Sequence, residues 1–235
     1  MPSAGAASAA PTVVYLTLKR CLDIMLALTF LIVALPLFAV ISLLIVLDTG
    51  WPVFYRQERI GARAVRRDGR LEWIERSFRI VKFRTMVRDA DRTPVHEQFI
   101  EAFVKGESAP DMRELPEKSY KLNGDARITR AGHLLRMTSL DELPQLLNVL
   151  FGTMSLVGPR PVPPYEVALY AAHHRERLAA RPGITGAWQV QGRGRVSFEE
   201  MVNLDIDYVR RQSIRLDLSL LARTLPAVLR RSGAR

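Results

Sequence analysis

Hydrophobic and polar positions divide the chain into two unequal parts. Residues 21–47 are predominantly apolar with one charge, Asp23, with Lys19 and Arg20 in front and Arg56, Arg59, Arg63, Arg66 and Arg67 behind. As one helix this run would be about 40 Å long, against a hydrocarbon core of roughly 30 Å. Pro36 divides it into arms of roughly 22 and 16 Å, neither of which spans a bilayer alone. Two geometries fit: a kinked, tilted span, or a re-entrant helix-break-helix whose ends return to one face. Basic residues on both flanks favour the second, with everything after residue 48 cytoplasmic.

Beyond that run the period changes. Val53–Tyr55 and Phe78–Phe83 read as strands, and residues 63–76 as a charged loop or hairpin around the turn signal Asp68-Gly69. Lys82 and Arg84 share one face of a strand, where they could meet a phosphate or anionic lipid headgroups. Residues 88–123 are polar, with Pro94, Pro110 and Pro116; a helix is expected around Val95–Lys105, within a connection that reads as a substrate lid or a linker. Residues 164–180 have helical spacing and stop at Arg181-Pro182-Gly183. There the adjacent His173 and His174 would point about 100° apart on a helix, a poor metal pair, and are read as surface residues. The glycine-rich stretch 183–194 carries Trp188, Gln189, Gln191 and Arg193, followed by Arg195, and matches no Walker or dinucleotide fingerprint. It reads as a nucleotide-binding loop, with Trp188 as base platform or core filler. Residues 198–211 form a helix. Residues 216–231 place Leu218, Leu221, Leu225, Val228 and Leu229 on one broad face, for a membrane surface or for the core.

The fold expected is α+β and predominantly helical. Residues 1–18 form a disordered tail, 19–48 the re-entrant membrane helix-break-helix, and 49–235 a cytoplasmic catalytic domain with a short antiparallel β region and membrane-surface amphipathic helices. The 235 residues suffice for one sizeable core. A formal net charge of +10 calls for an anionic partner: nucleic acid, anionic lipid or a phosphorylated substrate. Nucleic acid rests on the charge alone, without a recognised fold or interleaved aromatics, and is not expected. The single cysteine, Cys21, rules out an internal disulfide and agrees with a reducing compartment.

The chemistry concentrates in Arg127–Pro161, RITRAGHLLRMTSLDELPQLLNVLFGTMSLVGPRP. Pro144 is comfortable only in a first helical turn, so a helix is expected to start at about Asp141 to Leu143. Both Asp141 and Glu142 then sit at its N-terminus, bracketed by Arg127, Arg130, Arg136 and Arg160, whose guanidinium forks suit phosphate. A capping box of Ser139 and Glu142 competes, but would put Pro144 where its missing N–H removes a helix bond.

The chain resembles the bacterial sugar transferases, small monotopic polyprenyl-phosphate phosphoglycosyl transferases that initiate surface glycan or exopolysaccharide synthesis. The resemblance rests on KRCLD and the Pro-containing apolar run, VFYRQERIG, KFRTM, the Arg127–Pro161 stretch, RPGITGAWQVQGR and DIDYVRRQSIRLDLSLLARTL. It implies transfer of a sugar 1-phosphate from a UDP-sugar to polyprenyl (undecaprenyl) phosphate with release of UMP, at the cytoplasmic face of a bacterial inner membrane. It further implies Asp141 as a covalent nucleophile, Glu142 as its support, and Mg²⁺ held by Asp141 and Glu142. Substrate phosphates fall to Arg136 and Arg160, with Lys82, Arg84, Arg127, Pro159, Gln189 and Arg193 as further substrate-binding positions. A homodimer and contact with anionic lipid are compatible with it. Three departures stand out: Leu35 precedes Pro36 where serine is usual, Ala126 replaces a common proline, and residues 62–77 lengthen the loop before KFRTM. The chain looks like the minimal form, without the extra N-terminal membrane bundle of larger relatives. A tethered scaffold without catalysis is the competing reading, disfavoured by the joint presence of Asp141, Glu142, Arg136 and Arg160.

Overall fold

The computed structural model describes residues 11–90, 95–106, 127–191 and 196–229. The helices are α1 (Val13–Thr49), α2 (Val95–Lys105), α3 (Arg130–Thr138), α4 (Gln145–Leu150), α5 (Pro164–Ala168), α6 (Ala187–Gln191), α7 (Phe198–Arg211) and α8 (Ile214–Leu229). The strands are β1 (Phe54–Arg67), β2 (Arg70–Phe83), β3 (Ser155–Val157) and β4 (Gly183–Thr185).

Thr12 caps α1, its hydroxyl accepting the amide of Tyr15. The helix therefore starts before residue 19, inside the stretch expected as a tail. Burial of Tyr15 and Lys19 explains the earlier start: both donate to Oδ2 of Asp217, at 2.9 and 2.8 Å. Pro36 lies within α1 and the helix continues on both sides of it, in place of the expected two arms. Proline removes one backbone bond, which a helix of 37 residues anchored at both ends tolerates.

Asp23, the lone charge of the apolar run, faces protein: its Oδ1 accepts the Ser155 hydroxyl and the Leu156 amide, each at 3.0 Å. One turn earlier, Arg20 donates to the carbonyls of Val149 and Leu150 and so caps the C-terminus of α4. At the other end, Asp48 accepts the amide of Ala131, and Arg84 donates to the carbonyls of Thr49 and Gly50. Between these anchors Ile32, Val33, Leu35, Val40, Leu43 and Leu47 are each more than half exposed, while Ala27, Ile41 and Ile45 are buried. Helix α1 is long and apolar enough to cross a membrane.

Strands β1 and β2 form one antiparallel hairpin that absorbs residues 62–77 into regular pairing, closed by Asp68 and Gly69 at φ 48° and 78°. The register sets Tyr55 opposite Lys82 and Arg59 opposite Phe78, so Lys82 and Arg59 point to the same face. Strands β3 and β4 pair in parallel. Their neighbouring backbones need glycine: a Cβ on Gly158 would lie 2.2 Å from the Arg181 carbonyl oxygen. The main core joins Ala27, Ile80, Leu146, Val149, Met154, Leu156, Tyr208 and Leu220.

Residues 164–180 are not one helix. Helix α5 ends at Ala168 and a 3-10 helix, His173–Leu178, follows. The break lets Arg177 turn inward, fully buried, onto Asp205 at 2.5 Å and Glu166 at 3.5 Å. Helix α8 turns Leu216, Leu220 and Leu221 to the core and leaves Leu218 exposed; the side chains of Leu225, Val228 and Leu229 lie outside the described residues. Trp188 is buried in a second core, with Val162, Phe198 and Met201.

Candidate active site

Helix α3 is pressed against the end of β2. The α-carbon of Gly132 comes so close that a Cβ there would sit 2.1 Å from the Thr85 carbonyl oxygen. This contact delivers Arg136, near the end of α3, to the Thr85 hydroxyl at 3.0 Å. Ser139 then takes the left-handed conformation, φ 59°, and ends the helix. The reversal leads into a single 3-10 turn, Leu140–Glu142, so both carboxylates precede α4, which begins at Gln145 rather than at 141–143. The serine side chain makes no cap bond, so the capping box does not form. Helix α4 has only six residues. Its dipole is correspondingly short, and the charge that governs the carboxylates comes from side chains instead.

Those side chains are Lys82 and Arg160. Lys82 Nζ and Arg160 Nη2 each approach Oε1 of Glu142 to 2.9 Å. Lys82 arrives from the penultimate position of β2, Arg160 from the Gly158–Pro161 loop. Pro159 of that loop is buried, its carbonyl accepting the Gly183 amide at 2.9 Å. Asp141 is buried beside them and within electrostatic reach of Lys82. Burial pushes the Glu142 carboxyl up, but Arg160 and then Lys82 more than offset it and hold the group well below the usual carboxylate range. Burial likewise pushes the Lys82 ammonium down, against the pull of Glu142.

The remaining expected residues divide. Arg127 donates to the Ala90 carbonyl at 2.8 Å and, with Arg136 and Arg160, acts electrostatically on His96 of α2. Arg84 does not join Glu142: strand β2 ends at Phe83, and Arg84 turns to the C-terminus of α1. Gln189 donates to the Ile184 carbonyl at 2.9 Å, and its buried Oε1 has no partner among the described residues. Arg193 and Arg195 lie outside the described residues, as do Pro94 and residues 107–123 of the expected connection.

A model of the bacterial sugar transferase family matches residues 14–231. The chain belongs to that family. Over 217 residues it is 41% identical to the UDP-galactose-lipid carrier transferase of Erwinia amylovora, covering 92% of this chain and 41% of that protein. It is 38% identical over 216 residues to the exopolysaccharide production protein ExoY of Sinorhizobium fredii, covering 92% of this chain and 87% of that one. A third relative, 36% identical over 224 residues, is the UDP-glucose:undecaprenyl-phosphate glucose-1-phosphate transferase of Caulobacter vibrioides, covering 92% and 71% respectively. The chain thus spans less than half of the Erwinia relative and most of ExoY.

Three side chains near this cluster were not singled out from the sequence. Arg59 is buried on the face of the hairpin that carries Lys82. His96 Nδ1 and the Tyr165 hydroxyl lie 2.6 Å apart, joining α2 to α5. Burial, then Arg59, Arg127, Arg136 and Arg160, push the His96 ring down to about 4. A strand period extended from Lys82 across the hairpin would have found Arg59; no local signal marks His96 or Tyr165.

His173, His174 and Glu199 bring their ligand atoms within 4.8 Å of one another. His174, read as a surface residue, is buried, because the 3-10 turn packs it on Phe198. Its Nδ1 accepts the Ala171 amide at 3.1 Å, so the neutral ring carries its proton on Nε2 and donates to Glu199 at 2.8 Å. A metal on Nε2 would require Nδ1–H to face that amide. The trio is a hydrogen-bonded clamp.

Proposed function

We propose that the chain transfers a sugar 1-phosphate from a UDP-sugar to polyprenyl phosphate, giving polyprenyl-diphosphate-sugar and UMP, as an initiating step of exopolysaccharide or surface glycan synthesis. The observation that carries this reading is Glu142 held between Lys82 and Arg160 beside buried Asp141. Three separate elements converge to put one shielded carboxylate next to two cations suited to phosphate.

The Asp141 carboxylate attacks the sugar-bearing phosphorus. A P–O bond forms to Asp141 as the bond to the bridging oxygen breaks, and UMP leaves with that electron pair; no proton is required. A phosphate oxygen of the lipid then attacks the phosphosugar-aspartate and expels the Asp141 carboxylate. Arg160 and Lys82 screen the charge that would otherwise repel one anion from another. Glu142 aims both cations through Oε1.

Glu142 takes both cations on Oε1, and the residue before it is the buried carboxylate Asp141. This hard-oxygen donor pair fits Mg²⁺, which Asp141 and Glu142 would hold together with substrate phosphates. When bound, the ion supplies Lewis-acid stabilisation of phosphate charge.

Membrane association follows from α1, and a monotopic seating on the cytoplasmic face of the inner membrane is favoured by its contacts. Residues at both ends of α1 bind the same domain: Tyr15, Lys19 and Asp23 at one end, Asp48 and Thr49 at the other. A transbilayer helix would place those ends on opposite sides.

The test uses purified chain, Mg²⁺ and a panel of UDP-sugars without lipid. The expected outcome is a near-stoichiometric burst of UMP with a sugar-phosphate adduct on the intact protein, absent from Asp141→Asn and abolished by chelation. Release only after polyprenyl phosphate is added would replace the covalent step with direct transfer.

A further inference from the structure

Arg59 is a buried guanidinium with no carboxylate partner among the described residues. It is 7% exposed, donates to the Gln57 side chain and weakly, at 3.4 Å, to the Pro161 carbonyl, and its buried Nε has no partner among the described residues. A buried cation left uncompensated is costly, so such a group is retained where an anion completes it. The backbone holds it firmly in place: the amide of the next residue, Ile60, donates to Val162 at 2.7 Å, stitching β1 to the segment that follows Arg160.

His96 and Tyr165 lie within electrostatic reach of it. Arg59 acts electrostatically on both side chains, and on Lys82. Burial, against the pull of Arg59, raises the Tyr165 hydroxyl to about 12. When the phenol donates to Nδ1, the neutral His96 ring carries its proton on Nε2. The corner therefore offers a guanidinium and an imidazole; Arg127, Arg136 and Arg160 act on His96, and the carboxylates Glu97 and Glu166 act on Tyr165.

We propose that Arg59, with the His96–Tyr165 pair, binds the nucleotide-side phosphate of the donor, the group that leaves as UMP. This rests on the donor being a nucleoside-diphosphate sugar, as set out above. Two observations favour the nucleotide over the lipid phosphate. Helices α2 and α5 pack on each other, on α7 and on β1, whereas α1 packs on α3, α4, α8 and β3. The Arg59 corner thus lies on the side of the site built by elements other than the apolar helix. Arg59 also shares its face with Lys82 and acts electrostatically on it, which sets both cations towards one polyanionic donor.

The experiment measures binding of UMP, and separately of farnesyl phosphate, to the full chain in nanodiscs. In Arg59→Gln, UMP affinity is expected to fall tenfold or more with farnesyl phosphate affinity unchanged; in Tyr165→Phe, UMP affinity falls a few-fold. Arg59→Lys, which keeps the charge, recovers part of the loss and serves as the readout if the glutamine variant does not fold. Unchanged UMP affinity in a folded Arg59→Gln chain overturns the assignment while the transferase reading stands. Weakened farnesyl phosphate with intact UMP binding moves the site to the acceptor and overturns the nucleotide assignment. Failure of the unaltered chain to bind UMP defeats the donor reading itself, and this inference with it.

Discussion

Lys82 Nζ lies 2.9 Å from Oε1 of Glu142, across 60 residues of chain, and the same oxygen receives Arg160. One carboxylate oxygen thus holds two cations that would otherwise repel. Glu142→Gln preserves shape but removes the charge. The side chains retain 15–18% exposure, so the loss is discounted from a fully buried pair to about 2 kcal/mol of stability. Turnover is expected to fall at least a hundredfold with the cations misaligned; a thermal melt and UMP release read the two effects. Wild-type turnover in Glu142→Gln would remove its role.

Gly132→Ala places a methyl 2.1 Å from the Thr85 carbonyl oxygen, and that oxygen is backbone. Alanine's helix preference, about 1 kcal/mol, is outweighed by a steric cost of roughly 1–3 kcal/mol or by a shift of α3. Since α3 carries Arg136 to Thr85, the variant is expected to lose activity as well as stability, measurable as a lower melting temperature and a slower burst.

His96 gives a pH dependence with a definite sign. Its folded value, about 4, lies below the ordinary 6.5. Above 6.5 the ring is neutral folded and unfolded, and its contribution is fully present. As pH falls from 6.5 towards 4 the unfolded chain takes up a proton that the folded chain refuses, and up to about 3 kcal/mol is lost. His96→Gln is expected to flatten that part of the stability profile in a series of denaturant melts at pH 4–7.

The seating of α1 is open to labelling. With Cys21 replaced by serine, single cysteines at Val13 and at Arg67 should both resist a membrane-impermeant maleimide in intact cells and both react in inverted vesicles. Reaction of the Val13 position in intact cells would establish a transbilayer helix.

Much of this molecule is legible in local sequence. The turn chemistry of Asp68-Gly69 predicts the hairpin, and the Arg127–Pro161 stretch places Asp141 and Glu142 together. Other readings failed for identifiable reasons. Helical spacing over 164–180 gave way because Arg177 buries its charge on Asp205 of α7 as well as on Glu166, and no local pattern carries the pull of Asp205. Arg84 shares strand parity with Lys82, yet the strand ends between them and the two cations part.

The sequence by itself determined the apolar helix, the adjacent carboxylates and their basic surroundings, because these are matters of composition, spacing and backbone preference. Tertiary structure alone decided which cations meet Glu142, that Asp23 and Lys19 face protein rather than lipid, and that Arg59, His96 and Tyr165 share a corner. Those outcomes depend on contacts between residues far apart in the chain. Burial of charge forces each such group to find a partner, and only the folded backbone determines which partners come within reach.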